Sequence, residues 1–155
     1  MKKIARKRVL FVCLGNACRS PMAEAIAGRL GHDIIEASSA GFTPLGHVET
    51  MTLQTLARNG YPAEGLKSKP VLREELLAAD VIVNMSGRPK RLAFHDHSKV
   101  EDWNVEDPYG ATPEIYQRIF QDIEKRVAEL ADRLRDSARA KRTAEKAKSK
   151  GMGRA

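Results

Sequence analysis

The chain has 155 residues, 27 Lys+Arg against 20 Asp+Glu and a formal charge of +7, a length for one domain with a sizeable core at 42% hydrophobic content. That content excludes a wholly disordered chain, and no apolar run approaches the ~18 residues of a membrane span. Two cysteines, Cys13 and Cys18, cannot staple a scaffold, so a reducing, cytoplasmic setting is the expectation.

The charge is unevenly placed. Residues 1–8 hold five basic residues and no acid, and residues 139–155 hold seven against Glu145 alone. The segment 9–138 between them carries a net −4. The organisation expected is a basic N-terminal extension (1–8), an α/β domain (9–138) and a basic tail (139–155). The tail has almost no large apolar residue, so it should be disordered or a frayed continuation of the preceding helix. A solvated tail and a site for an anionic partner both stay open there. No zinc-finger spacing, RNA-binding aromatic motif or helix-turn-helix signal is present, and nucleic acid is not the expected partner. The basic start followed by Val9–Leu14 is too short an apolar stretch to read as a secretory signal.

In chain order, Val9-Leu10-Phe11-Val12 predicts a strand buried on both faces. Ser20 and Pro21 read as N-cap and first residue of a helix whose face is Met22, Ile26 and Leu30, stopped by Gly31. Asp33 to Ala37 predicts a second strand, ended by Ser38-Ser39-Ala40-Gly41. Glu49 to Asn59, closed by Gly60, and Leu72 to Ala79 predict helices, and Val81-Ile82-Val83 a third strand. A weaker fourth strand lies near Val100 to Val105. Thr112 and Pro113 open the last helix, with an apolar stripe at Ile115, Ile119, Ile123, Val127, Leu130 and Leu134. The alternation predicts a single doubly wound α/β fold: a four-stranded parallel sheet, helices on both faces and a phosphate loop after strand 1. Ligands in such folds sit beyond the carboxyl ends of the strands, where the Cys13 loop lies.

That loop, Cys13-Leu14-Gly15-Asn16-Ala17-Cys18-Arg19-Ser20, leads from a strand into a helix N-terminus, where backbone N–H groups converge as an anion cradle. Gly15 would permit the backbone angles of such a nest. Arg19 offers a planar fork for two oxygens of a phosphate-like anion. The same positive field favours the Cys13 thiolate, and the Ser20 hydroxyl would cap the helix or donate to that sulfur. The nucleotide-binding pattern G-x-x-x-x-G-K-[ST] and the redox pattern C-x-x-C are absent. A thiolate displacing an alcohol or phenol from phosphorus benefits from a proton donor. Asp107-Pro108-Tyr109-Gly110 supplies a candidate acid, Asp107, and an aromatic wall, Tyr109; an ordinary turn is the other reading.

Val12-Cys13-Leu14-Gly15-Asn16-Ala17-Cys18-Arg19-Ser20-Pro21-Met22-Ala23-Glu24 closely resembles the signature of the low-molecular-weight protein tyrosine phosphatases. Ser38-Ser39-Ala40-Gly41 is similar to that family's second-strand ending, and Asp107-Pro108-Tyr109-Gly110 to its general-acid loop. The resemblance runs over roughly residues 8–135. It implies Cys13 as nucleophile through a cysteinyl-phosphate, Arg19 as phosphate binder and Asp107 as acid, then base. It implies that Asn16 holds the loop in shape and Ser20 supports the thiolate, with Leu14, Gly15, Ala17, Cys18 and Tyr109 around the phosphate. It implies no metal and no cofactor, and a phosphotyrosine protein or a small aryl phosphate as substrate. Cys18 resembles a second loop cysteine able to form a reversible disulfide with the nucleophile; a small buried side chain is the alternative.

The chain departs from the family where many members carry tryptophan-histidine after the second strand, since it reads Phe42-Thr43-Pro44-Leu45-Gly46-His47-Val48. It also has Met85-Ser86 where many have Met-Asp. Both departures bear on phosphotyrosine specificity and leave phosphate chemistry untouched. Trp103 is expected in the core or as a wall of the site. His95-Asp96-His97 reads as a polar loop, and His32 and His47 as surface or turn residues. Arsenate reductases share a similar scaffold. The thioredoxin-linked type needs two cysteines after Cys18 and none follows, whereas a form using an external thiol stays open, as does a non-catalytic phosphate-binding module.

Overall fold

The apolar run at Val9–Val12 forms the middle of β1, Lys7–Cys13, in a computed structural model that describes residues 5–152. After it come α1 Arg19–Leu30, β2 Ile35–Gly41, α2 Thr50–Arg58, α3 Arg73–Ala78, β3 Val81–Asn84, α4 Lys90–Ala93, β4 Val100–Asp102 and α5 Pro113–Met152. A single 3-10 turn, His97–Lys99, precedes β4. The sheet has the order β2-β1-β3-β4, and every pairing in it is parallel.

Because β1 lies between β2 and β3, both of its faces are covered, which is why its sequence is continuously apolar rather than alternating. Val9, Phe11 and Cys13 point to the face packed by α1, α2 and α5, while Leu10 and Val12 join Ile82, Phe94 and Val100 on the other. Leu76 of α3 and Ala93 of α4 close that second face. The chain leaves β1 toward β2 through α1, and β3 adds on the opposite side. The carboxyl end of β1 is therefore the switch point where a crevice opens.

α5 packs against α1 and α2 over the first face. Tyr116, Ile119, Phe120, Ile123, Val127 and Leu130 are buried, each worth about 1.5–3 kcal/mol of apolar burial. Thr112 Oγ1 accepts from Ile115 N at 3.4 Å, capping the helix at the residue expected. The last anchor is Arg135, whose guanidinium grips both oxygens of Asp33 at 2.9 Å and the Leu30 carbonyl at 2.7 Å. Trp103 is core, tilted against Phe11 with ring centroids 6.0 Å apart.

Several sequence expectations change. The second strand does not stop at Ala37. β2 runs Ile35–Gly41, and its small residues Ser39, Ala40 and Gly41 are buried because the Cys13 loop lies against that end. Ser20 is not the N-cap of α1; Cys18 holds that position without a side-chain cap. Lys7 and Arg8, assigned to the N-terminal extension, already belong to β1, and residues 1–4 lie outside the described residues. Of the two expectations for the tail, continuation of the helix is what is seen as far as Met152; residues 153–155 lie outside the described residues. The short α4 was not expected, since a four-residue helix carries no periodicity to read. His95-Asp96-His97 is a polar turn in which Asp96 accepts from the Ser98 amide at 3.1 Å.

Candidate active site

Cys13 is the last residue of β1 and Arg19 the first of α1, so the five residues between them bridge a sheet edge and a helix N-terminus. The connection beyond β2 holds this bridge by its carbonyls. Cys13 O accepts from Phe42 N at 3.3 Å, Leu14 O from Thr43 N at 2.8 Å, Gly15 O from Leu45 N at 3.0 Å and Ala17 O from Glu49 N at 3.0 Å. Ser68 Oγ adds a bond to Gly15 O at 3.1 Å and Thr52 Oγ1 one to Ala17 O at 3.1 Å. In a trans peptide the following N–H points the opposite way, so fixing the carbonyls outward turns the amides toward the crevice. Amides turned this way are the arrangement an anion cradle requires.

The residue in left-handed backbone is Asn16, at φ 45°, rather than Gly15. Asparagine tolerates that region, and here its fully buried side chain is tied on all sides. Oδ1 accepts from Lys69 N at 2.9 Å, while Nδ2 donates to Ser20 Oγ at 2.8 Å and Ser39 Oγ at 3.0 Å. At Gly15 a Cβ would stand 3.2 Å from Cγ of the exposed Leu45, a tight contact that a small shift of that side chain relieves. The Lys69 amide can only donate, so the orientation of the Asn16 amide is fixed, and Ser20 Oγ receives one of its protons. The Ser20 hydroxyl then has two further partners, Cys13 Sγ at 2.9 Å and the Ala40 carbonyl, to which it donates at 3.5 Å. Of the two positions foreseen for Ser20, it takes the one beside the sulfur and not that of the helix cap.

Arg19 is 7% exposed. Its Nη1 donates to the carbonyls of Met85, at 2.6 Å, and Val105, at 3.2 Å. Among the described residues its buried Nε has no hydrogen-bond partner, and Nη2 lies 3.6 Å from Asp107 Oδ2. Nη1 of the guanidinium is thus locked to the scaffold, while the edge formed by Nε and Nη2 makes no hydrogen bond among the described residues. Asp107 sits at the mouth, its side chain half exposed, with Oδ1 accepting from the Tyr109 amide at 3.1 Å. Cys13, Leu14, Gly15, Ala17, Cys18, Arg19, Asp107 and Tyr109 line one pocket of about 260 Å³, together with Thr43 and Leu45, while Asn16 and Ser20 stand behind its wall. Leu14, Leu45 and Tyr109 are exposed at its rim, so its floor is cationic and its walls are apolar.

Cys18 is buried, and its Sγ lies 3.2 Å from Tyr116 Oη of α5. Burial pushes the Cys18 thiol up, against the opposing effect of its bonds to Tyr116 and Thr52. Burial pushes the Tyr116 hydroxyl up as well, reinforced by the same contact. Behind the loop, Ser39 Oγ donates to Glu24 Oε1 at 2.6 Å, and burial raises the Glu24 carboxyl above its usual range.

Sequence reasoning did not find the residues that position the site: Lys69 and Ser39 on Asn16, Thr52 on Ala17, and the Met85 and Val105 carbonyls on Arg19. Backbone groups carry no residue signature, and these contacts span 23 to 86 positions of sequence. Gly41 did leave a signal, as a glycine ending a strand. A Cβ there would lie 2.7 Å from Leu14 O and 2.8 Å from Asn16 N.

Residues 8–141 match the family model described as low molecular weight phosphotyrosine protein phosphatase. Among curated proteins, the glutaredoxin arsenate reductase of Synechocystis is 29% identical over 83% of this chain and 98% of its own. The protein-arginine-phosphatase of Bacillus subtilis is 28% identical over 84% and 99%. Among solved structures, the low molecular weight protein tyrosine phosphatase of T. tengcongensis is 31% identical at a TM-score of 0.75, covering 83% of this chain and 99% of that one. The family match over most of the chain, on a fold whose Cys13 thiol, Arg19 guanidinium and Asp107 carboxylate meet in one pocket, establishes the assignment: the chain belongs to the low molecular weight phosphotyrosine protein phosphatase family.

Proposed function

We propose that the protein is a cysteine-dependent phosphomonoesterase acting on aryl phosphates, with phosphotyrosine proteins as the natural substrate class. The observation that carries this reading is the buried, unpartnered Nε of Arg19, held in the same pocket as the Cys13 thiol. A tetrahedral oxyanion supplies the missing acceptor, and the inward amides of the loop bind its other oxygens. The apolar rim of Leu14, Leu45 and Tyr109 suits an aryl ring.

In the first step Cys13 Sγ attacks phosphorus, the S–P bond forms as the P–O bond to the leaving group breaks, and Asp107 gives its proton to the departing oxygen. In the second, water attacks the cysteinyl-phosphate, Asp107 takes the proton, and the S–P bond breaks to release phosphate. The Ser20 hydroxyl stabilises the sulfur whenever it is anionic. No step needs a metal or cofactor, and two free thiols suit a reducing, cytoplasmic setting.

A side-by-side assay on aryl phosphates, phosphotyrosine peptides, phosphoarginine peptides and arsenate with an external thiol tests the substrate class. Preferred hydrolysis of phosphotyrosine is expected; arsenite formation without phosphatase turnover would overturn the reading. Cys13→Ser should cost about 10⁴-fold or more in turnover, and retained activity would end the nucleophile assignment. Asp107→Ala should slow poor leaving groups by about 10²–10³-fold while sparing p-nitrophenyl phosphate. An equal effect on all leaving groups would remove Asp107 from the acid role.

A further inference from the structure

α5 outlasts the domain it covers. Its last packed positions are Leu134 and Ala138, Arg135 ties it to Asp33, and from Arg139 to Gly151 every residue is exposed. The family match ends at residue 141, so the rest of the helix lies beyond it. The extension is thus a structural addition to the catalytic unit.

Helical geometry sorts its charges. At ~100° per residue, Arg139, Arg142, Lys146 and Lys150 fall within an arc of about 80°. They form a line about 16 Å long. Lys141 and Lys148 lie on the opposite side, Glu145 sits between them and Arg142 on the edge of the stripe, and Ala140, Ala144 and Ala147 occupy the other flank. Along the stripe, Arg139 reaches Asp136 at 3.9 Å in a solvent-exposed pair.

We propose that this stripe is a nucleic-acid backbone-binding arm, which tethers the phosphatase domain to DNA or RNA. The chemistry favours that partner over a lipid surface, because residues 139–151 contain no apolar side chain larger than alanine to enter the acyl boundary. It favours it over a folded protein, because a row of evenly repeated charges without an aromatic or aliphatic anchor matches a repeating polyanion rather than a hot-spot pocket. The arm also has no aromatic side chain to stack on bases, so it recognises phosphates and not sequence. The missing nucleic-acid motifs noted in the sequence exclude base readout and leave this mode intact.

The test is fluorescence anisotropy of the full chain with a labelled 20-base-pair duplex between 50 and 200 mM NaCl. Four phosphate contacts predict an affinity loss of about 100-fold across that range. Two variants remove equal charge: Arg142→Gln with Lys146→Gln on the stripe, and Lys141→Gln with Lys148→Gln opposite. The stripe pair should lose tenfold or more in affinity and the opposite pair less than threefold, with aryl phosphate turnover unchanged in both. Equal losses would reduce the arm to net charge and overturn the stripe. Absence of duplex binding at 50 mM NaCl, or binding to phosphatidylserine vesicles alone, would overturn the partner.

Discussion

Replacing Gly41 with alanine tests whether the phosphate loop is positioned by the end of β2. The added Cβ would meet Leu14 O at 2.7 Å, Asn16 N at 2.8 Å and Asn16 Cβ at 2.9 Å, where ordinary contact begins near 3.4 Å. Two of those atoms are backbone of the loop, so relief requires the loop to move by about 0.5–0.7 Å. Overpacking of this kind costs about 1–3 kcal/mol in stability. A displacement approaching 1 Å in a catalytic constellation costs up to about 10²-fold in rate. The expected result is a 10- to 100-fold loss in kcat/KM on p-nitrophenyl phosphate, weaker inhibition by inorganic phosphate and a lower Tm. Gly28 provides the control, since it lies on an exposed stretch of α1 with nothing within 4 Å of its Cβ position. Gly28→Ala should raise stability by about 0.5–1 kcal/mol and leave kcat/KM unchanged. A Gly41→Ala enzyme within twofold of wild type in rate would refute the claim that β2 sets the loop.

Two further outcomes are expected. Arg19→Lys keeps the charge but cannot hold the Met85 and Val105 carbonyls and still present a two-point edge, so kcat should fall about 10²–10³-fold; steady-state kinetics showing only a raised KM would contradict it. Glu24 has a carboxyl raised by burial, so the folded state keeps its proton to higher pH than the unfolded chain does, and stability is lost as pH rises through that window. Glu24→Gln, which still accepts from Ser39, should therefore melt higher than wild type at pH 7.5 and converge with it near pH 4. A Tm difference independent of pH would remove titration as the cause.

Legibility in the sequence follows the range of the interactions. The β1–loop–α1 unit was readable because its determinants are consecutive: an apolar strand, a nucleophile, a glycine, an arginine and a helix start within one stretch of chain. The stripe of α5 was readable because helical spacing repeats. The extent of β2 was not, because Ser39, Ala40 and Gly41 are small for the sake of the loop above them, a reason that exists only once β2 lies beside β1 in register. The same applies to Asn16, whose left-handed backbone is held by Lys69 and Ser39, contacts made only after folding.

By itself, then, the sequence determined the order of strands and helices, the Cys13, Arg19 and Asp107 set, and a +7 charge carried by the ends of the chain. Tertiary structure decided the directions: which way the loop carbonyls face, which Arg19 edge is tied to the scaffold, and that Ser20 stands beside the Cys13 sulfur. It also decided that the basic tail continues the last helix, and so arranges its charge as a line. Composition and spacing are properties of one dimension, whereas hydrogen-bond direction and the face of a helix exist only when the chain has packed.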